Sequence, residues 1–133
     1  MRHFKPALLA ALASTIAAPA LAATAVGVSG DADLHWIDTE TWQRTGGATV
    51  TGVEGRLLGI DVRPADGRLY GLFEDGTLAV IDPMTGAAES VSTLATMLPA
   101  DATATVDFNP VADKLRVMGS DGTSLRVTVE TGE

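Results

Sequence analysis

Gly59-Ile60-Asp61-Val62-Arg63-Pro64 returns 46 residues later as Thr105-Val106-Asp107-Phe108-Asn109-Pro110. The agreement spreads outward from that pair. Leu69 returns as Leu115, Asp75-Gly76-Thr77 as Asp121-Gly122-Thr123, and Thr85-Gly86 as Thr131-Gly132, all at the same separation. Upstream, Asp31, Leu34, Ile37-Asp38 and Thr41 match Asp75, Leu78, Ile81-Asp82 and Thr85 at a separation of 44. A fixed period of this size is the mark of a repeat architecture, in which each unit buries its apolar face only against a neighbour. The chain therefore holds one complete unit flanked by two partial ones.

Within a unit the pattern alternates with period two: Leu125, Val127 and Val129 share one face, and Arg126, Thr128 and Glu130 the other. That alternation reads as a half-buried strand. Strands are expected at Ile60 to Arg63, Leu69 to Phe73, Leu78 to Ile81 and Ser90 to Leu94, with turns at Pro64 to Gly67, Glu74 to Thr77 and Pro83 to Gly86. Pro64 and Pro110 fix one class of turn, while Gly67, Gly76 and Gly122 supply the positive φ that tight hairpins require. Four hairpin-linked strands per unit predict an all-β, propeller-like stack of four-stranded antiparallel units, about two and a half of them, over residues 23–133. A sandwich would leave the period unexplained. A closed ring takes ~4 or more blades, so the open edges predict a truncated chain, or else self-association through those edges.

Residues 1–22 read as a signal peptide. Arg2 and Lys5 precede an apolar run from Ala7 to Ala18, and Ala20-Leu21-Ala22 places small residues where a signal peptidase cuts. The run is short of the ~20 residues needed to span a bilayer, and with no cysteine there is no lipidation site at the cut. A soluble periplasmic or secreted product is expected, with no membrane insertion after cleavage. Of 133 residues, 46% are hydrophobic, which suits one folded domain. Loss of residues 1–22 takes the formal charge from −8 to −10 and leaves Lys114 as the one lysine. Such a chain lacks the cationic footprint of a nucleic-acid binder.

The strings Leu58 to Pro64, Gly67-Arg68-Leu69-Tyr70-Gly71-Leu72 and Val106-Asp107-Phe108-Asn109-Pro110, followed by Asp113 to Val117 and Leu125-Arg126, resemble a bacterial family of exported proteins catalogued as domain of unknown function 4394. The resemblance runs from about Leu34 to Gly132, with Ser124 where the family often has asparagine. It implies repeat-built β proteins of about twice this length, which agrees with truncation, and it carries over no catalytic residue.

The residues offer little chemistry. His35 is the one histidine beyond residue 22, too few for a His-rich zinc site, and no Gly-x-Ser-x-Gly elbow is present there. Asp61 and Asp107 hold equivalent positions and are the candidate ligand or metal residues, either fixing turns through backbone N–H groups or, with Ca²⁺, lining a channel mouth. The Asp-Gly pairs continue into no EF-hand pattern, so hairpin chemistry accounts for them. Trp36 and Trp42 suit either ligand stacking or shared packing. Arg63, Arg68, Lys114, Arg116 and Arg126 are expected on solvated faces. The leading expectation is a non-catalytic module that binds an unidentified ligand or protein, or scaffolds, in the envelope. A Ca²⁺-dependent, lactonase-like hydrolase is the alternative.

Overall fold

The computed structural model describes residues 23–133. The signal-peptide expectation for residues 1–22 lies outside the described residues. Ten strands follow in order: β1 (Thr24–Ser29), β2 (Asp33–Asp38), β3 (Arg44–Thr49), β4 (Leu57–Val62), β5 (Leu69–Phe73), β6 (Thr77–Ile81), β7 (Ala88–Thr93), β8 (Ala104–Asn109), β9 (Lys114–Gly119) and β10 (Ser124–Val127). They form three antiparallel sheets, β1-β2-β3, β4-β5-β6-β7 and β10-β9-β8, with no helix among the described residues.

The sheets reproduce the repeat. To within a residue, β1 to β3 lie 44 positions before β5 to β7, and β8 to β10 lie 46 positions after β4 to β6. Only the middle sheet has all four strands. The first sheet holds the second to fourth strands of a unit, and the third sheet the first to third. Turn chemistry recurs with the strands. Asp75 accepts hydrogen bonds from the Thr77 N–H and hydroxyl, and Asp121 accepts the same pair from Thr123. Asp38 and Asp82 each collect two backbone N–H groups in the next turn. A short side chain that bonds the backbone two or three residues on fixes the reversal locally, which is why these turns could be read without tertiary information.

The Leu69–Phe73 strand falls where expected, and the other strand boundaries shift by up to three residues. β4 begins at Leu57, three residues before Ile60, because a register irregularity between Leu57 and Gly59 lets the strand keep its pairing with β5. β10 ends at Val127, since Gly132 N–H bonds back to the Thr128 carbonyl and turns the chain. Val129 stays fully buried all the same, its carbonyl accepting the Ser92 hydroxyl at 2.5 Å.

The middle sheet is covered on both faces, so every residue of β5 is buried. Leu57, Leu69, Phe73, Ala79 and Ile81 pack toward Leu34 and Val50, with Val26 and Val28 of the first sheet at the margin. Tyr70, Leu72 and Leu78 pack toward Phe108, Leu115, Val117 and Val127 of the third. The Tyr70 and Phe108 rings meet edge to face at 5.5 Å. Period-two alternation along β5 thus feeds two separate cores, each lost if the neighbouring sheet is lost. The first strands of the second and third units, β4 and β8, lie side by side, and β1, the second strand of its unit, touches β4 more lightly.

The units are joined by one repeated backbone contact. Thr51 N–H bonds to the Gly86 carbonyl and Ala95 N–H to the Gly132 carbonyl, so the segment leaving each sheet is held by a turn of the next. Gly86 and Gly132 have φ of 77° and 76°. Trp42 stands at the corresponding place in the first unit with φ of 56° and is 76% exposed. A side chain in the left-handed region costs ~1–2 kcal/mol. Trp42→Gly is therefore expected to raise stability by about 1 kcal/mol, measured by urea unfolding.

Candidate functional site

Asp61 sits on β4, half-buried and directed at the third sheet. Its Oδ2 accepts the Phe108 N–H at 2.7 Å and its Oδ1 the Val62 N–H at 2.9 Å. The carboxylate therefore stitches β4 to β8, joining two units where the sequence pointed only to a turn nearby. Removing it strands the half-buried Phe108 N–H, so Asp61→Ala is expected to cost about 1.5 kcal/mol, with Asp61→Asn losing less because one acceptor oxygen survives. Asp107 holds the same position on β8, exposed and opposite Arg116 in the register. Phe108 points into the core, so strand alternation turns Asp107 to the far face of the third sheet. The two acids thus lie on successive faces with a sheet between them. Among the described residues, no three His, Asp or Glu side chains cluster as a metal would need.

Pro64 and Pro110 open equivalent turns after β4 and β8. Gly67, Gly76 and Gly122 all occupy turns with positive φ, at 69°, 83° and 92°.

Arg63 departs from expectation. Its side chain is only 12% exposed and lies at the centre of an ionic cluster between the second and third sheets. Nε and Nη2 grip Asp113 bidentately at 2.8 and 2.5 Å, and Nη1 lies 2.7 Å from Glu130 Oε1 and 3.8 Å from Asp66 Oδ2. The guanidinium carbon is 5.9 Å from the Tyr70 ring centroid, and the Tyr70 hydroxyl donates to Asp66 at 2.8 Å. Asp113 holds the guanidinium firmly in its charged form. In turn Arg63 lowers the Asp113 carboxyl below its ordinary value, while Glu130 is lowered first by its own N–H and then by Arg63. A sequence signal for this pairing did exist. Arg63 and Gly67 become Asn109 and Asp113 in the next unit, so a cation enters this turn in one unit and an anion enters the equivalent turn of the next. Asp113 pays a left-handed φ of 49° for the place. Lys114 is also engaged, donating to the Thr128 hydroxyl.

The aromatic residues separate. Trp36 packs its ring over Gly46 and donates its indole N–H to the Pro83 carbonyl at 2.8 Å, bridging the first and second sheets, whereas Trp42 stands in solvent. His35 shares a hydrogen bond of 2.5 Å with Ser29 Oγ, a contact between neighbouring strands that sequence spacing did not suggest. Its Nδ1 is buried without a partner, so no carboxylate orients the ring as a hydrolytic triad requires. An open cleft of about 590 Å³ lies between the first two sheets, lined by Val26, Val62, Leu69, Ile81 and Ala88 among others, with Arg68 and Glu89 also at its wall.

Stacked antiparallel sheets, joined by recurring backbone and carboxylate links, define an all-β repeat protein. More particularly, the chain belongs to the family Domain of unknown function (DUF4394), whose model matches residues 33–133. No curated protein matches the chain.

Proposed function

We propose that the protein is a non-catalytic, propeller-like β module, exported by way of residues 1–22, that binds or scaffolds in the cell envelope. The observation that carries this reading is the use made of Asp61. The carboxylate best placed to be a ligand has both oxygens committed to backbone N–H groups that join two units. Side-by-side first strands support a propeller-like arrangement around a common axis. The segment Ala7 to Ala22 supports export to the periplasm or medium. Open edges at β1 and β10 among the described residues support self-association as the concentration rises, which sedimentation velocity would register.

The test is a pair of thermal melts of the secreted full chain, without and with millimolar calcium. No change in Tm is expected. A rise of several degrees that disappears in Asp61→Asn would instead show calcium held at Asp61 and favour the calcium-dependent hydrolase, because a ligand that binds only the folded state stabilises it. Intact mass of the protein recovered from the periplasmic fraction should correspond to a chain starting at Ala23; a mass that includes Met1 would remove the export reading.

A further inference from the structure

Faces at one place in the repeat change character along the chain. Val26, Val28, Leu34 and Trp36 point from the first sheet toward the second, and 44 residues later Tyr70, Leu72, Leu78 and Val80 point from the second toward the third. A further 46 residues on, the same four positions are Arg116, Met118, Ser124 and Arg126, all exposed, and among the described residues no sheet covers them. Two apolar packing faces are thus followed by a cationic one.

Arg116 lies directly opposite Arg126 across β9 and β10, with Asp107 on its other side across β8. Like charges directly opposite are destabilising in a sheet. Neither arginine has a carboxylate partner among the ion pairs of the described residues. With Lys114 they line a polar concavity of about 240 Å³ whose other groups include Asp107, Asn109 and Ser124. Three of the seven lysines and arginines beyond residue 22 thus gather in one hollow of a chain whose net charge there is −10. Two arginines on adjacent strands, neither of them in an ion pair of the described residues, can grip the oxygens of a carboxylate or phosphate together with their planar guanidinium groups.

We infer that this concavity binds a small multivalent oxyanion between Arg116 and Arg126. Asn109 and Ser124 complete the contacts, and Asp107 on the far side of Arg116 accepts from a ligand hydroxyl. The volume admits a molecule the size of a hydroxy-tricarboxylic acid and excludes a large cofactor. This deepens the binding role proposed above, yet the two tests fail independently: the calcium melt reads Asp61, and an anion titration reads the face carrying Arg126.

The experiment is calorimetric titration of the full chain at low ionic strength, with citrate in one arm and inorganic phosphate in the other. Saturable binding of citrate is expected, with Arg126→Val weakening it at least tenfold and Arg116→Thr doing the same. Tighter binding in the citrate arm supports a carboxylate ligand, and tighter binding in the phosphate arm a phosphorylated one. Val80 occupies the equivalent place in the second sheet, so Arg126→Val should fold, and an unchanged far-UV spectrum and an equal or higher Tm would verify it. Absence of saturable binding in both arms would overturn the inference, as would equal affinity in the wild-type protein and both folded variants.

Discussion

Gly86→Ala is expected to lower the free energy of unfolding by about 3 kcal/mol, whereas Gly122→Ala should cost only about 1 kcal/mol. Both glycines have positive φ, 77° and 92°, so the backbone penalty is shared. Their surroundings differ. A Cβ on Gly86 would lie 2.3 Å from the Thr49 carbonyl oxygen and 2.9 Å from its carbon, backbone atoms that cannot step aside. At Gly122 a Cβ would meet nothing within 4 Å. Relief of the clash needs the first sheet to move off the second, and that breaks the Thr51 to Gly86 hydrogen bond and opens the core around Leu34 and Phe73. Chemical denaturation of the two variants side by side measures the difference. Equal losses would mean that the close approach does not hold the units together.

Arg63→Met is expected to cost about 2 kcal/mol at neutral pH and to flatten the dependence of stability on acid. The cost arises because a nearly buried, bidentate cation links two sheets, and its loss leaves Asp66, Asp113 and Glu130 facing one another. The sign of the pH effect follows from the direction of the shifts. Asp113 and Glu130 have folded-state pKa values below their ordinary 3.8 and 4.5, so the folded protein binds fewer protons than the unfolded chain. Their contribution is therefore complete above the ordinary carboxylate range and disappears as pH falls through the lowered values. Wild-type stability should hold down to about pH 5 and drop below about pH 4, while Arg63→Met should show a shallower fall there. Thermal melts across that range would test it, and parallel curves would remove Arg63 from the account.

The repeat was legible because its determinants are local. Alternation in Leu125 to Glu130, the Asp-Gly turns at Asp75 and Asp121, and the prolines at 64 and 110 each act within a few residues of themselves. Strand ends were less legible, since pairing with a neighbour extends β4 back to Leu57 and a turn closes β10 at Val127. The role of Asp61 was half legible: its habit of taking backbone N–H groups could be expected, but its partner on Phe108 lies in another unit. Arg63 was misread as a solvated surface residue because its anchors, Asp113 and Glu130, come from distant turns.

By itself the sequence determined the strands, the turn chemistry, the period and the alternation of faces, since each depends on torsional preference and burial pattern over a handful of neighbouring residues. Only the tertiary structure decided which face meets which. It closed the Arg63 cluster, aimed Asp61 at β8, and left Arg116 and Arg126 uncovered among the described residues where the second unit packs Tyr70 and Val80 against the third. Those outcomes depend on how sheets stack, and stacking brings together side chains tens of residues apart that no local rule of torsion or burial pattern pairs.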